Sequence, residues 1–172
     1  MKLSTRARYG LRMMIELARE LKSKEMIHIG QIAKITGLSD NYLAQLAISL
    51  KNNGLLVGYS GKKGGYRLSR PAEEIKLSEI VRAVTGPLDI TECVSNPSIC
   101  LNSSFCEARL IWALLSGSML EVLDKLRLSD MVDREKINSI KKEYSHMPFI
   151  NPDRLMAENS NESFDGCPTK TK

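Results

Sequence analysis

The chain has 172 residues, 42% of them apolar, with 25 Lys+Arg against 20 Asp+Glu. That length fits one ordinary domain, or a small domain with an appendage, and the apolar fraction excludes wholesale disorder. No run nears 18 consecutive apolar residues, which argues against a transmembrane helix, and the basic start Met1-Lys2-Leu3-Ser4-Thr5-Arg6 leads into no apolar region of a secretory signal. A cytosolic setting is expected, and there four cysteines point to metal binding or redox chemistry more than to a disulfide framework.

The net charge of +5 is uneven. Residues 1–76 hold 14 Lys+Arg and 6 Asp+Glu, whereas residues 77–172 hold 11 and 14. The first half thus carries the electrostatic footprint of a nucleic-acid binder. A basic half can also be no more than a solvated surface.

In chain order, residues 4–22 form an expected amphipathic helix, capped by Ser4 or Thr5, with Ala7, Leu11, Met14, Ile15, Ala18 and Leu21 at helical spacing. Ile29–Thr36 reads as a second helix, with Ile32, Ala33 and Ile35 apolar and Gly37 as its stop. Ser39 caps a third helix, Asp40–Asn53, whose buried stripe is Leu43, Leu46, Ala47 and Leu50. Leu55–Ser60 and Tyr66–Ser69 are strand-like, and the turn Gly61-Lys62-Lys63-Gly64-Gly65 makes them a hairpin. Leu77–Thr85 reads as a short helix capped by Ser78 or started just before it, and Gly86-Pro87 breaks it. Residues 88–105 look like a loop, residues 106–127 like a long apolar helix, and Ser129 is expected to cap a last helix over about 130–143. Residues 144–172 are polar and are expected to be mostly disordered.

Helix, helix, glycine turn, helix and basic hairpin in that order predict a winged helix-turn-helix. The fold class is mainly α with one small β-hairpin. Residues 1–76 are its DNA-binding domain, residues 77–143 a sensor loop with dimerisation helices, and residues 144–172 a tail. The third helix can enter a major groove with its first residues at the base edges. Ser39, Asn41, Tyr42, Gln45 and Ser49 are its outward candidates. The amides of Asn41 and Gln45 suit adenine, which both donates and accepts. Tyr42 fits a groove contact or a core position equally well. Lys62 and Lys63 at the hairpin tip can reach the backbone or a minor groove, and Lys2 and Arg6 can reach phosphates. The alternative is a helix-turn-helix that serves protein contacts only.

Cys93, Cys100 and Cys106 are spaced Cys-x6-Cys-x5-Cys. Zinc ribbons use paired CxxC knuckles, so this spacing suits a loop around something larger than one ion. Iron–sulfur clusters take thiolates at varied spacing. Zinc, a redox disulfide and plain thiols remain open alternatives. Cys167 lies in the tail and reads as an exposed thiol, and His28 and His146 read as surface residues. Glu107 could supply a ligand oxygen or serve the helix end. The helix 106–127 would be about 33 Å long. It is apolar too far round for a 76-residue domain to cover, so a second copy of the chain is expected, and a twofold dimer suits a palindromic site on DNA.

No Gly-rich phosphate loop follows a strand, no HExxH occurs, and no Ser-His-Asp set suggests itself. An enzyme is therefore not expected. The rival would be a thiol redox catalyst using Cys93 and Cys106.

The opening Met1-Lys2-Leu3-Ser4-Thr5-Arg6-x-Arg8-Tyr9-Gly10 resembles that of the Rrf2 family of bacterial winged-helix regulators. So do Ile32-Ala33, Leu38-Ser39-x-x-Tyr42-Leu43-x-Gln45-Leu46, Leu50-x-x-x-Gly54-Leu55 and Gly61-x-x-Gly64-Gly65-Tyr66-x-Leu68. The three-cysteine loop and Trp112, six residues past Cys106, resemble the cluster-binding branch. The resemblance covers about residues 1–143. It implies a dimeric cytoplasmic transcription factor, usually a repressor, holding a 2Fe–2S or 4Fe–4S cluster. The ligands would be Cys93, Cys100 and Cys106. The DNA contacts would come from Ser39, Asn41, Tyr42, Gln45, Lys62 and Lys63. Two positions that supply a further ligand in relatives are Arg109 and Arg8 here, and a recognition-helix position often filled by Glu is Ala44. The alternative within the fold is a cluster-free regulator that answers to thiol oxidation, zinc or a partner protein.

Overall fold

A computed structural model describes residues 4–22, 24–61 and 64–147. Helix α1 (Thr5–Glu20) starts where the Ser4 side chain accepts a hydrogen bond from the Ala7 amide at 3.1 Å. Its buried residues are Ala7, Gly10, Met13, Met14, Leu17 and Ala18. Leu11, Ile15 and Leu21 are only half-buried, so the buried face is turned from the expected stripe. Gly10 is the reason. A Cβ there would lie 2.9 Å from a methyl of Val84, so only glycine lets helix α4 (Leu77–Thr85) come this close.

Val84 is buried and β-branched, so it has little room to yield. Gly10→Ala is expected to cost about 1–3 kcal/mol in overpacking, offset by up to about 1 kcal/mol of helix propensity. The net loss should be about 1 kcal/mol, read by urea unfolding.

Helix α2 (Ile29–Thr36) ends at Gly37, which sits in the left-handed region at φ 68° and donates its amide to Ala33 O at 2.8 Å. Ile32 is buried as expected, but Ile35 faces out and Thr36 is buried in its stead. The Thr36 hydroxyl donates to Ile32 O at 2.7 Å, which satisfies it inside the core. Helix α3 (Asp40–Asn52) is capped by Ser39, whose oxygen accepts from the Tyr42 amide at 3.3 Å. Its buried stripe is Leu43, Leu46, Ala47 and Leu50, as expected.

Strands β1 (Leu56–Tyr59) and β2 (Gly65–Leu68) pair antiparallel, with Leu56 opposite Leu68 and Tyr59 opposite Gly65. Ile27 adds a bridge to Tyr66 in both directions, at 3.0 and 2.8 Å, which pins the hairpin to the segment before α2. Lys62, Lys63 and Lys2 lie outside the described residues.

Helix α4 starts just before Ser78, at Leu77 with Lys76 in the cap position, so Ser78 is not the cap. Glu79 accepts from the Lys76 amide at 2.8 Å, while Ser78 is buried inside the helix and donates its hydroxyl to Asp124. Residues 88–105 are not a plain loop. They hold helix α5 (Glu92–Ser95) and two 3-10 turns, Pro97–Ile99 and Ser103–Phe105. Helix α6 spans Glu107–Lys125. After it the chain returns to α4: the Leu77 amide donates to Leu126 O and the Leu128 amide to Ile75 O. Leu128 is fully buried in the same cluster as Met13, Leu46 and Ile80, so one core runs through α1, α3, α4 and this return. Ser129 opens a 3-10 turn, Ser129–Met131, and does not cap the last helix. Asp133 does, accepting from the Glu135 and Lys136 amides ahead of α7 (Arg134–Glu143). Residues 148–172 of the expected tail, Cys167 included, lie outside the described residues.

Candidate nucleic-acid interface and cysteine segment

Helix α3 presents Asn41 and Gln45 as exposed residues four apart, hence on one face. Ile48 joins them at 51% exposure, an apolar residue that could meet a thymine methyl. Ile48 was missed because an isoleucine in a helix reads as core. Only its offset from the Leu43–Leu46–Leu50 stripe marks it. Ser39 is exposed but its oxygen is engaged in the cap. Tyr42 turns the other way. It is half-buried, meets Tyr9 edge-to-face at 5.9 Å, and its hydroxyl is buried with no hydrogen-bond partner among the described residues.

Arg6 makes internal bonds. Its Nε donates to Val84 O at 2.7 Å and its Nη2 to Ser49 Oγ at 2.9 Å. It therefore ties α1 to the end of α4 and to α3, although the side chain is exposed and keeps further N–H groups. Asn53 Nδ2 reaches Ala83 O at 3.5 Å, a second link from the end of α3 to the end of α4. On β2, exposed Arg67 stacks over Tyr59 at 5.1 Å and brings a cation to the wing. Strand alternation was the available clue to it.

The cysteines lie on the segment between α4 and α6. Cys93 is half-buried on α5, with its Sγ 3.3 Å from the Thr91 hydroxyl. Cys100 is exposed, and Cys106 is half-buried at the cap position of α6. None of the three is in a disulfide. Among the described residues no three His, Cys, Asp or Glu side chains are gathered closely enough to hold a metal ion. The donor chemistry nonetheless fits an iron–sulfur group at three positions, since all three thiols are unpaired and none is sealed in the core.

His28 stands before α2 and His146 bonds Glu143 O at 3.1 Å near α7, both exposed and on other elements. Glu107 is exposed in the first turn of α6, where a carboxylate suits the helix N-terminus. Arg8 stacks on Tyr9 at 4.5 Å. Arg109 donates from Nε to Cys93 O at 2.7 Å and from Nη2 to Val94 O at 3.4 Å. A cleft of about 590 Å³ lies beside this segment, lined among others by Arg82, Pro87, Asp89, Val94, Ser95 and Leu120.

Among the described residues, seven helices, a two-stranded wing and an exposed polar face on the third helix define a winged-helix regulator. The chain belongs to the Rrf2 family: the family model, described as an iron-dependent transcriptional regulator, matches residues 3–134. A regulator named IscR from Cereibacter sphaeroides is 34% identical over 138 residues, 78% of this chain and 89% of its own. The regulator CymR of Bacillus subtilis is 34% identical over 131 residues, 76% of this chain and 89% of its own. Among solved structures, IscR of T. potens matches with a TM-score of 0.62 at 32% identity, over 77% of this chain and 86% of that one. CymR of B. subtilis, described as the global cysteine regulator of that organism, matches with a TM-score of 0.61 at 34% identity, over 77% and 96%. These relatives are transcriptional regulators, so the chain is a DNA-binding regulator and not an enzyme. No helix among the described residues is long and apolar enough to cross a membrane.

Proposed function

We propose that the protein is a dimeric cytoplasmic repressor whose binding to a palindromic operator is governed by an iron–sulfur cluster. Cys93, Cys100 and Cys106 would hold the cluster, of the 2Fe–2S or 4Fe–4S type. One observation carries the reading: three unpaired thiols share one segment outside the core, in a family described as iron-dependent. A bound cluster supplies a group that oxidation, nitric oxide or iron shortage can remove.

The protein's own contacts give a route from that segment to DNA. The segment leaves α4 at Gly86, one residue after Thr85. The last carbonyls of α4 are gripped by Arg6 of α1 and by Asn53, which caps α3. Ordering residues 90–106 therefore acts on the end of α4, and through it on the setting of α3. In a dimer this fixes the spacing of the two recognition helices. A change of about 1.4 kcal/mol in DNA affinity shifts occupancy tenfold.

Asn41 and Gln45 read bases in this proposal, and Lys2, Lys62, Lys63 and Arg67 meet the backbone. Replacing Gln45 by alanine should weaken operator binding by about 1–3 kcal/mol and relax preference at one base position. Competition by operator variants in gel shifts measures this, and a uniform loss across all variants would remove Gln45 from base reading.

The test of the whole is anaerobic purification with iron and acid-labile sulfide measured per chain, followed by operator binding with and without the cluster. Visible absorption, stoichiometric iron and sulfide, and at least a tenfold difference in affinity are expected. A protein still colourless after reconstitution would instead be a cluster-free regulator.

A further inference from the structure

We propose that Arg109 is a positioning residue for the cluster, joining the Cys93 end of the cysteine segment to the Cys106 end and setting the potential of the group between them. The inference rests on the cluster reading above. Arg109 lies in the first turn of α6. Its backbone amide donates to Cys106 O at 3.1 Å, while its guanidinium donates to Cys93 O at 2.7 Å and Val94 O at 3.4 Å. One residue thus touches both outer cysteines across thirteen positions of chain.

The two carbonyls it grips belong to α5, a helix of four residues. A single turn leaves most of its carbonyls without helical partners, and a helix that short does not hold itself. Asn96 takes only the Glu92 carbonyl. A cation is the natural cap for the remaining ones. The side chain is half-buried, and among the described residues no carboxylate pairs with it. Its charge is therefore free to act on anionic ligands, and thiolates are the anions that this segment can supply. The fork shape of the guanidinium lets it span two successive carbonyls, which a lysine ammonium does less well.

The consequence is a division of labour. The hydrogen bonds hold Cys93 near α6 before any cluster arrives, which lowers the ordering cost of binding. The charge favours the reduced, more negative state of a thiolate-bound cluster. Arg109→Gln keeps a donor and removes the charge, whereas Arg109→Lys keeps the charge and removes the fork.

The experiment uses full-length protein, reconstituted anaerobically with iron and sulfide. Cluster loss to a chelator is followed in the visible, and the reduction potential is measured by dye-mediated titration. Both variants should release the cluster at least tenfold faster than the wild type, with unchanged far-ultraviolet dichroism. Only Arg109→Gln should move the potential, and it should move it downward. A merely structural arginine would not separate the two variants by potential. Wild-type rates and potential in both variants would overturn the inference while leaving the cluster reading intact. A wild-type chain that takes up no iron or sulfide would overturn the cluster reading first, and this inference with it.

Discussion

Replacing Cys93, Cys100 and Cys106 together by alanine is expected to abolish iron and sulfide binding while leaving the fold in place. Cys100 is exposed and the other two are half-buried, and none belongs to the core cluster around Met13, Leu46 and Ile80. Substitutions at such sites typically shift stability by within about 0.5 kcal/mol. Thermal unfolding of the variant should therefore overlay that of the cluster-free wild type. Regulation should change sharply. The wild type is expected to show at least a tenfold difference in operator affinity between its two states, and the triple variant should show none. It should bind as the cluster-free wild type does, because it lacks the thiols through which the proposed cluster would act on the segment. Fluorescence anisotropy with a labelled operator fragment reads this directly. Retained iron in the triple variant would exclude these thiols as ligands. A variant that still responds to the inducing signal would move sensing away from the segment altogether.

The parts of the fold that were legible in the sequence are those that local chemistry decides. Ser39 and Gly37 bracket α2 and α3 because a cap and a left-handed stop act over three or four residues. The α3 stripe was legible because its four apolar residues keep one helical period. What failed depends on residues distant in the chain. The face of α1 is set by Val84, more than seventy residues away, through the space at Gly10. Ser78 has the chemistry of a cap but finds Asp124 across the interface with α6. The return of Leu128 to the core, and the bridge from Ile27 to the wing, leave no local trace either.

The candidate site divides along the same line. Asn41 and Gln45 are exposed as the helix period predicts, whereas Arg6 reads as a free cation and is in fact bonded to Val84 and Ser49. Tyr42, which fitted groove or core equally, packs on Tyr9 at the edge of the core. Cysteine spacing singled out the segment, but nothing in that spacing reveals the arginine that bonds to both of its ends.

Changing Ile111 and Leu114 together to glutamate is expected to leave a folded chain that no longer pairs and binds its operator weakly. Along α6, Leu110, Ile111, Leu114 and Leu115 fall at i, i+1, i+4 and i+5, which is one face of a helix. They are 62%, 53%, 58% and 47% exposed, although each is a large aliphatic residue. Burial of such a side chain contributes about 1.5–3 kcal/mol. Because each is already about half covered in the single chain, four from each of two copies would supply about 7–13 kcal/mol, enough to offset an association cost of about 4–15 kcal/mol at the low end of that range. Trp112, at 37% exposure, borders the same face and adds an aromatic anchor. A second copy also suits the palindromic operator proposed above, which would need two recognition helices related by a twofold axis. Two glutamates on that face would place four unpaired carboxylates in the pair, an arrangement whose desolvation no local group offsets. Because neither residue touches the core around α4, the single chain should unfold near its ordinary midpoint. Analytical ultracentrifugation should give twice the chain mass for the wild type and one chain mass for the variant. Operator affinity should fall by about 10²–10⁴, the loss expected when two linked half-site contacts become one. A half-site duplex should bind both proteins alike, because the contacts of a single α3 are untouched. Equal affinity of the variant for the full operator would show that one chain suffices, and the exposed face of α6 would then serve a different partner.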